Sequence, residues 1–427
     1  MFYLKNYKFF IIYYLFFFIP KIKLGNDIYV WPFELFMILF ILYFVYTGKE
    51  IIYDRSLLYP IIFFTYLIII SFVHIILRNY PFSLPEFLRN IKIIIYFVFL
   101  LFMFSYLYNI NYGNKFDYHV IVLMVFFSTI LMFIMLIQNF YNFFQEGLPD
   151  YKRMFWIISS KIKPYFFACR YISEGKIIDN PKGGLNSTGI LATLVFFLAI
   201  YLFTENRNKF FFLSIVLSFI TLLLSYSRSS FIIFFLLLIT MITLNKKNKD
   251  YLTLLSSLLL FFFILFIFSR DFFYYTVLSK IINTFNFNGS KFDPSTHVRI
   301  IMWEHVLFGK INYLNLIFGC GFGQNAILYF TNNKFTQLES LFLNNLVYGG
   351  IFSILFIIFY INLIKKSLIL KKNNQKLGNI LYFFFIYFSL PNIFTGGDFL
   401  MDTTMHYIFP LIVIIYIISK NHLLLKL

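Results

Sequence analysis

Apolar stretches long enough to cross a bilayer recur from one end of this chain to the other. Twelve can be counted in its 427 residues. Each is roughly 17–25 residues long, the length a helix needs to traverse a ~30 Å hydrocarbon core. They fall at about 9–24, 28–47, 57–77, 93–110, 119–140, 185–203, 210–226, 229–244, 251–269, 338–364, 377–395 and 404–419. Only 13% of the residues are charged, against about 25% in a soluble domain. The expected fold is therefore an all-α integral membrane protein, a single polytopic domain over 1–427 with about twelve transmembrane helices. The apolar run Phe9–Ile19 is short, and a signal peptide is the alternative there. No small-residue cleavage site follows it, only Pro20-Lys-Ile-Lys.

The formal charge of +18 raises nucleic acid as a partner, but its distribution fits a membrane better. With the N-terminus inside, 17 of the 36 basic residues fall in inner segments, among them Lys246, Lys247, Lys249, Lys365, Lys366, Lys371 and Lys372. The short outer loops hold 6, and the other 13 lie in two long outer segments, about 141–184 and 270–337. Long segments are largely exempt from the positive-inside rule. Both termini are expected in the cytoplasm, both long loops on the outer side, and no nucleic acid is implied. Cys169 and Cys320 fall one in each long loop. They read as two unpaired thiols, with a disulfide as the alternative in an oxidising compartment.

A chain this apolar does chemistry only where it keeps polar groups. The second long loop keeps many, and the sequence Asp293-Pro-Ser-Thr-His-Val-Arg-Ile-Ile-Met-Trp-Glu-His305 lies inside it. Asp293 suits a helix N-cap and Pro294 a first turn. Ile300, Trp303 and Leu307 recur at helical spacing, so this helix is amphipathic, lying on the membrane surface or packing on the bundle. Arg299 and Trp303 are one turn apart. His297 and His305 have no supporting ligand cluster, so no metal is expected. Gly319-Cys-Gly-Phe-Gly323 lacks the Lys-Ser/Thr of a phosphate loop and reads as a flexible turn.

Three residues stand out at the edges of this polar region. Arg228, between two apolar spans, is either a guanidinium aimed at a phosphate or one that snorkels to lipid headgroups. Arg299 is either a second phosphate clamp or a solvated helix residue. Glu339 opens the tenth span. It is either a general base raised by burial or an acid that complements a helix dipole. Gly349, Gly350 and Ser353, further along that span, would let a neighbouring helix approach closely. Asp398 and Asp402 read as solvated acids, or as partners for sugar hydroxyls or basic loops.

Together these segments resemble the bacterial O-antigen polymerase family, in the O-antigen ligase/polymerase superfamily. Tyr226-Ser-Arg-Ser-Ser-Phe231 is similar to a family signature at the outer end of a span. Arg299-Ile-Ile-Met-Trp303 with Ile317-Phe-Gly-Cys-Gly-Phe-Gly323 resembles its Arg-x-x-x-Trp and downstream Gly-x-Gly stretch. Glu339-Ser-Leu-Phe-Leu-Asn-Asn-Leu-Val-Tyr-Gly-Gly-Ile-Phe-Ser353 resembles the helix that follows, and Asn180-Pro-Lys-Gly-Gly-Leu-Asn-Ser-Thr-Gly189 a span start. The likeness covers about residues 180–364. Ligases of the superfamily typically carry a His where Glu339 stands, and polymerases often a Glu.

The resemblance implies a glycosyltransferase at the outer face of the bacterial cytoplasmic membrane, taking part in lipopolysaccharide or capsule synthesis. Its substrates would be undecaprenyl-pyrophosphate-linked oligosaccharides. Arg228 and Arg299 would bind the pyrophosphate and Glu339 would be catalytic. Arg170, Lys182, His297 and Trp303 are further substrate-binding candidates, and Arg153 would help to steer anionic substrates. No cofactor is implied; a chain-length regulator is a candidate partner. Two alternatives remain: a ligase transferring polymer to lipid A-core, and a non-enzymatic flippase or transporter of lipid-linked oligosaccharide. Transporters more often show paired repeats and short loops.

Overall fold

A computed structural model describes residues 2–16, 21–25, 28–109, 116–145, 170–173, 176–179, 185–225, 228–244, 256, 294–308, 313–335, 338, 340–394 and 403–424. Helix α1 (Phe2–Leu15) precedes a hairpin of β1 (Lys21–Gly25) and β2 (Ile28–Val30). Helices α2 (Pro32–Tyr46), α3 (Arg55–Ile76), α4 (Leu84–Asn109) and α5 (Phe116–Gln145) follow. A second hairpin, β3 (Arg170–Ser173) with β4 (Lys176–Asp179), leads to α6 (Leu185–Glu205), α7 (Lys209–Ser225) and α8 (Arg228–Leu244). After α9 (Pro294–Phe308), α10 (Tyr313–Phe318) and α11 (Gln324–Phe330) come α12 (Leu341–Gly349), α13 (Ile354–Asn373), α14 (Gln375–Phe394) and α15 (Thr403–Leu424).

The expected spans overlap helices except 251–269, which lies outside the described residues apart from Ser256; the first and second, 9–24 and 28–47, also take in strand residues. Among the described residues, four helical stretches are long and apolar enough to cross a membrane: Arg55–Ile76, Leu84–Asn109, Thr188–Glu205 and Phe342–Asn373. Among the described residues the two hairpins add short strands to a mainly helical fold. β1 also corrects the first span, since α1 ends at Leu15 and residues 21–24 are strand. Pro20 lacks the N–H that a continuing helix needs, and Lys21-Ile-Lys-Leu alternates polar and apolar at strand period.

The described residues gather into two compact units: Met1–Pro20 with Tyr118–Pro294 and Asn374–Phe388, and Lys21–Asp117 with Ser295–Asn373 and Ser389–Leu427. In the first unit α6 is apolar all round and is buried all round, from Leu191 to Leu202. It packs on α7 and α8. The Thr129 hydroxyl bonds Ser214 Oγ at 2.9 Å, joining α5 to α7.

In the second unit α3 is the shared wall, packing on α4, α12 and α13. Its core is aromatic, with Phe64 stacked on Phe97 at 5.7 Å and edge-on to Phe356. Outside this core Leu35, Leu39 and Leu42 line one exposed face of α2, a surface suited to hydrocarbon. Two polar clusters tie helices together. Glu34 accepts from the Tyr96 hydroxyl at 2.6 Å and pairs with Lys92 at 3.0 Å, fastening α2 to α4. At the N-terminus of α3, Asp54 caps Ser56 and pairs with Lys366 of α13 at 2.6 Å. Ser56 and Lys366 then reach Tyr416 and Ser419 of α15. The start of α3 therefore meets the far ends of α13 and α15.

Burial pushes the Asp54 carboxyl up, but the hydrogen bonds and charge of Lys366 and Ser56 outweigh it, leaving the carboxyl below its ordinary 3.8. The stability this adds is fully present above 3.8 and is lost as pH falls through the lowered native value. The melting-temperature gap between wild type and Asp54→Asn should therefore close in that acid range, as scanning fluorimetry in detergent would read. Lys366→Ala strands a part-buried carboxylate and should cost about 2 kcal/mol. The double variant Asp54→Leu with Lys366→Met should recover most of that loss.

Candidate functional site

The Gly-rich segment between α10 and α11 is irregular backbone held from both sides. On one side it pairs with the end of α12: Cys320 N–H donates to Val347 O and Gly321 N–H to Tyr348 O, each at 2.9 Å. On the other side α3 and the turn after it reach across. Tyr66 donates to Phe318 O at 2.5 Å, Tyr80 donates to Cys320 O at 2.7 Å, and Ser71 Oγ accepts from Phe322 N–H at 2.9 Å. His74 Nε2 lies 3.1 Å from Gly319 O and its Nδ1 lies 2.7 Å from Asn79 Nδ2. A carbonyl can only accept, so Nε2 carries the proton and Nδ1 accepts from the amide. The flexible turn expected from the sequence is thus a clamped strap. The sequence pattern hides the reason, because the clamping side chains lie some 240 residues earlier.

The strap continues onto α4. Glu86 Oε1 accepts from the N–H groups of Gln324 and Asn325, at 2.6 and 3.3 Å, where α11 begins. A carboxylate there satisfies donors that the helix leaves open. Two glycines make this approach feasible. Gly321, with φ +84°, turns a bare Cα to the Ser71 and Tyr80 hydroxyls, and Gly323, with φ +118°, does so to the Glu86 carboxylate. Burial drives the Tyr80 phenol well above its usual range and pushes the Cys320 thiol up to about 12. Both groups stay neutral and act through hydrogen bonding and packing.

Just beyond the strap, Ser340 caps α12 by accepting from Leu343 N–H at 3.3 Å, and Asn344 Nδ2 donates to Leu338 O at 3.0 Å. Leu338, Ser340, Asn344 and Asn345 are buried, and Asn344 Oδ1 and Asn345 Nδ2 have no hydrogen-bond partner. Glu339 lies outside the described residues, between these two buried neighbours. The small residues further on do allow a close approach. Gly349 faces the Phe63 ring and Gly350 the Ile317 carbonyl. The expected single span 338–364 is interrupted here, because Gly350 has φ +53° and a 3-10 turn follows through Ser353.

Helix α9 forms where the Asp-Pro start predicts it. It carries His297, Arg299 and Trp303 on one element of the second unit. Met302 and Val306 are buried, while Ile300 and Leu307 are exposed, which fits a face lying on the membrane surface, one of the two expected placements. His305 meets the Phe335 ring edge-on at 5.8 Å. Arg228 is the first residue of α8, in the first unit. Its helix is anchored by buried Ser230, whose carbonyl lies 3.4 Å from the Thr193 hydroxyl. Arg170 opens β3. Cys320 is a free, buried thiol. Arg153, Cys169, Lys182, Asp398 and Asp402 fall outside the described residues.

The residues that sequence reasoning missed are in the N-terminal half: His74, Tyr80, Glu86 and Asn90. A signal for them was available. Each is a polar group inside or beside an apolar helix, and such groups usually face a cavity or a partner. Among the described residues, no group of three or more His, Cys, Asp or Glu side chains could hold a metal ion.

A family model described as O-antigen ligase matches residues 213–360. That range takes in α8, α9, the strap and α12, and with them Arg228 and Arg299. No curated protein and no solved structure matches the chain. The match over residues 213–360 supports this chain's membership of the O-antigen ligase/polymerase superfamily.

Proposed function

We propose that this protein is a membrane glycosyltransferase that polymerises undecaprenyl-pyrophosphate-linked oligosaccharide repeat units at the outer face of the bacterial cytoplasmic membrane. The observation that carries this reading is the family match over residues 213–360, within which the chain has Glu339 where the superfamily's ligases typically have a His. The start of α12 supports it physically, since Leu338 O is bound by Asn344 and Ser340 caps the helix, on either side of position 339. A base must be held within hydrogen-bond reach of the proton it removes.

In this proposal Arg228 and Arg299 bind the donor pyrophosphate. An acceptor sugar hydroxyl attacks the anomeric carbon of the donor glycan while Glu339 takes the hydroxyl proton. The bond from that carbon to the pyrophosphate oxygen breaks and its electron pair leaves with the phosphate. Charge thus grows on the leaving group, where the arginines stabilise it most. The growing chain passes to the incoming unit and undecaprenyl pyrophosphate is released. Arg153, Arg170 and Lys182, in the basic first loop, steer anionic substrate, while His297 and Trp303 of α9 contact it.

The ligase reading has one observation of its own, the matched family's description. Loss of a ligase leaves long chains on the carrier lipid, whereas loss of a polymerase leaves single repeat units. Arg228→Ala, Arg299→Ala and Glu339→Ala should each lower long-chain glycan at least ~100-fold, by analogy with loss of one charge-stabilising donor, with single units accumulating on the outer leaflet. Unchanged ladders in all three at wild-type expression would overturn the assignment. Purified protein reconstituted with one defined lipid-linked repeat unit should build a ladder without added nucleotide sugar.

A further inference from the structure

The Asp54 cluster lies at the opposite end of α3 from the strap. The helix has 22 residues and is about 33 Å long, close to the thickness of a hydrocarbon core. With α3 spanning a bilayer, its first turn falls among the lipid headgroups. The end of α4 is at the same level, because Ile52 N–H donates to Ser105 Oγ at 2.8 Å and Asn109 Nδ2 donates to Glu50 O at 3.0 Å. Two lysines approach each other here. Lys366 of α13 is bound to Asp54 at 2.6 Å. Lys420 of α15 stands over the rings of Tyr108 and Phe104 of α4, 4.6 and 5.8 Å from their centroids. It lies within the electrostatic reach of both Asp54 and Lys366.

The two ammonium groups differ in how their charge is met. Asp54 turns one oxygen to Lys366 and the other to the N–H and hydroxyl of Ser56. That carboxylate is committed, and with Lys366 it forms a pair of no net charge. Lys420 has no carboxylate within ion-pair distance among the described residues. Ring faces attract an ammonium but leave its charge in place. Exposed Arg55 follows Asp54 in α3 and exposed Lys365 precedes Lys366 in α13, while the other described carboxylate at this end, exposed Glu50, adjoins Lys49. The surplus among these residues is positive. The positive-inside bias alone calls for solvated lysines, such as exposed Lys372 in the last turn of α13. It does not call for a lysine laid across two rings beside an ion pair. The complement of Lys420 is an anion at headgroup level, and a lipid phosphate has that depth. Exposed Ile361 and Leu368 stand four residues before and three after Lys365, on one face of α13, and suit the acyl chains of the same lipid.

We infer that the surface formed by the start of α3, the end of α4 and the Lys366 and Lys420 turns of α13 and α15 binds the phosphate of an anionic phospholipid headgroup, with Lys420 as its principal contact. The phosphate supplies the counter-charge that the described residues do not, through a charge-assisted hydrogen bond. It thereby adds to the bonds that hold these helix ends together. The inference is independent of the glycan-transfer reading, and either can fail alone.

The test uses the full chain in phosphatidylcholine nanodiscs, with and without phosphatidylglycerol, and reads melting temperature and, by native mass spectrometry, retained phosphatidylglycerol. Lys420→Gln removes the charge at similar length. Lys372→Gln removes the same charge from an exposed site on the same end of the unit. Phosphatidylglycerol should raise the melting temperature of wild type and of Lys372→Gln. Lys420→Gln should bind it about tenfold more weakly, the equivalent of one charge-assisted hydrogen bond, and Lys420→Arg should bind it as wild type does. Equal losses in Lys420→Gln and Lys372→Gln would reveal a diffuse basic surface and overturn the inference, as would the absence of any shift in wild type. Tyr108→Leu keeps the charge and removes the nearer ring, so it should bind severalfold more weakly than wild type; wild-type affinity there would overturn the inference even if Lys420→Gln did not fold. Inorganic phosphate in phosphatidylcholine nanodiscs should shift none of the proteins. A shift as large as that from phosphatidylglycerol would assign the site to a soluble phosphate and overturn the lipid reading.

Discussion

The second unit depends on how its irregular backbone is satisfied. Helices close their own hydrogen bonds, but the buried strap at 319–323 cannot. Side chains of α3 and α4 and carbonyls of α12 take over, from the Tyr66 bond to Phe318 O to the Glu86 bonds at Gln324 and Asn325. Polar groups that would be costly in an apolar helix are stable here because each has a backbone partner. The same set of bonds ties the strap to the end of α12, through Val347 O and Tyr348 O.

The opposite end of the unit is held by charge instead. Lys366 binds Asp54 and Ser419, while Asp54 caps α3. One end of α3 is therefore fixed by an ion pair and the other by neutral hydrogen bonds to a loop. The aromatic core around Phe64, Phe97 and Phe356 fills the space between. An aromatic-rich composition serves such a unit well, since these rings bury large areas without polar atoms.

Much of the helical fold was legible because apolar runs of bilayer length give a strong signal. Helix α9 was legible through its Asp-Pro start, and the Gly349–Gly350 approach through its small residues. The errors have physical causes. Pro20 ended a span that hydropathy alone carried on to residue 24. The stripe of Ile300, Trp303 and Leu307 left two placements open, because it fits hydrocarbon as well as it fits a protein core; Met302 and Val306 form the packed face. The strap read as loose because glycines announce conformational freedom and say nothing of what uses it. Of the candidate site, the C-terminal motifs were legible as a pattern. His74, Tyr80 and Glu86 were not, since they bind a strap distant in sequence and the match to known proteins begins after them.

Cys320 shows what a held strap implies for time as well as space. Its thiol is buried, its acidity is suppressed, and its carbonyl is bound by Tyr80. A thiol in that state reacts slowly with oxidants and alkylating reagents, because the thiolate is the reactive form. It becomes reactive only when the strap lifts from α3. The rate at which Cys320 is modified is then a clock for that opening, one the chain carries without any engineered label.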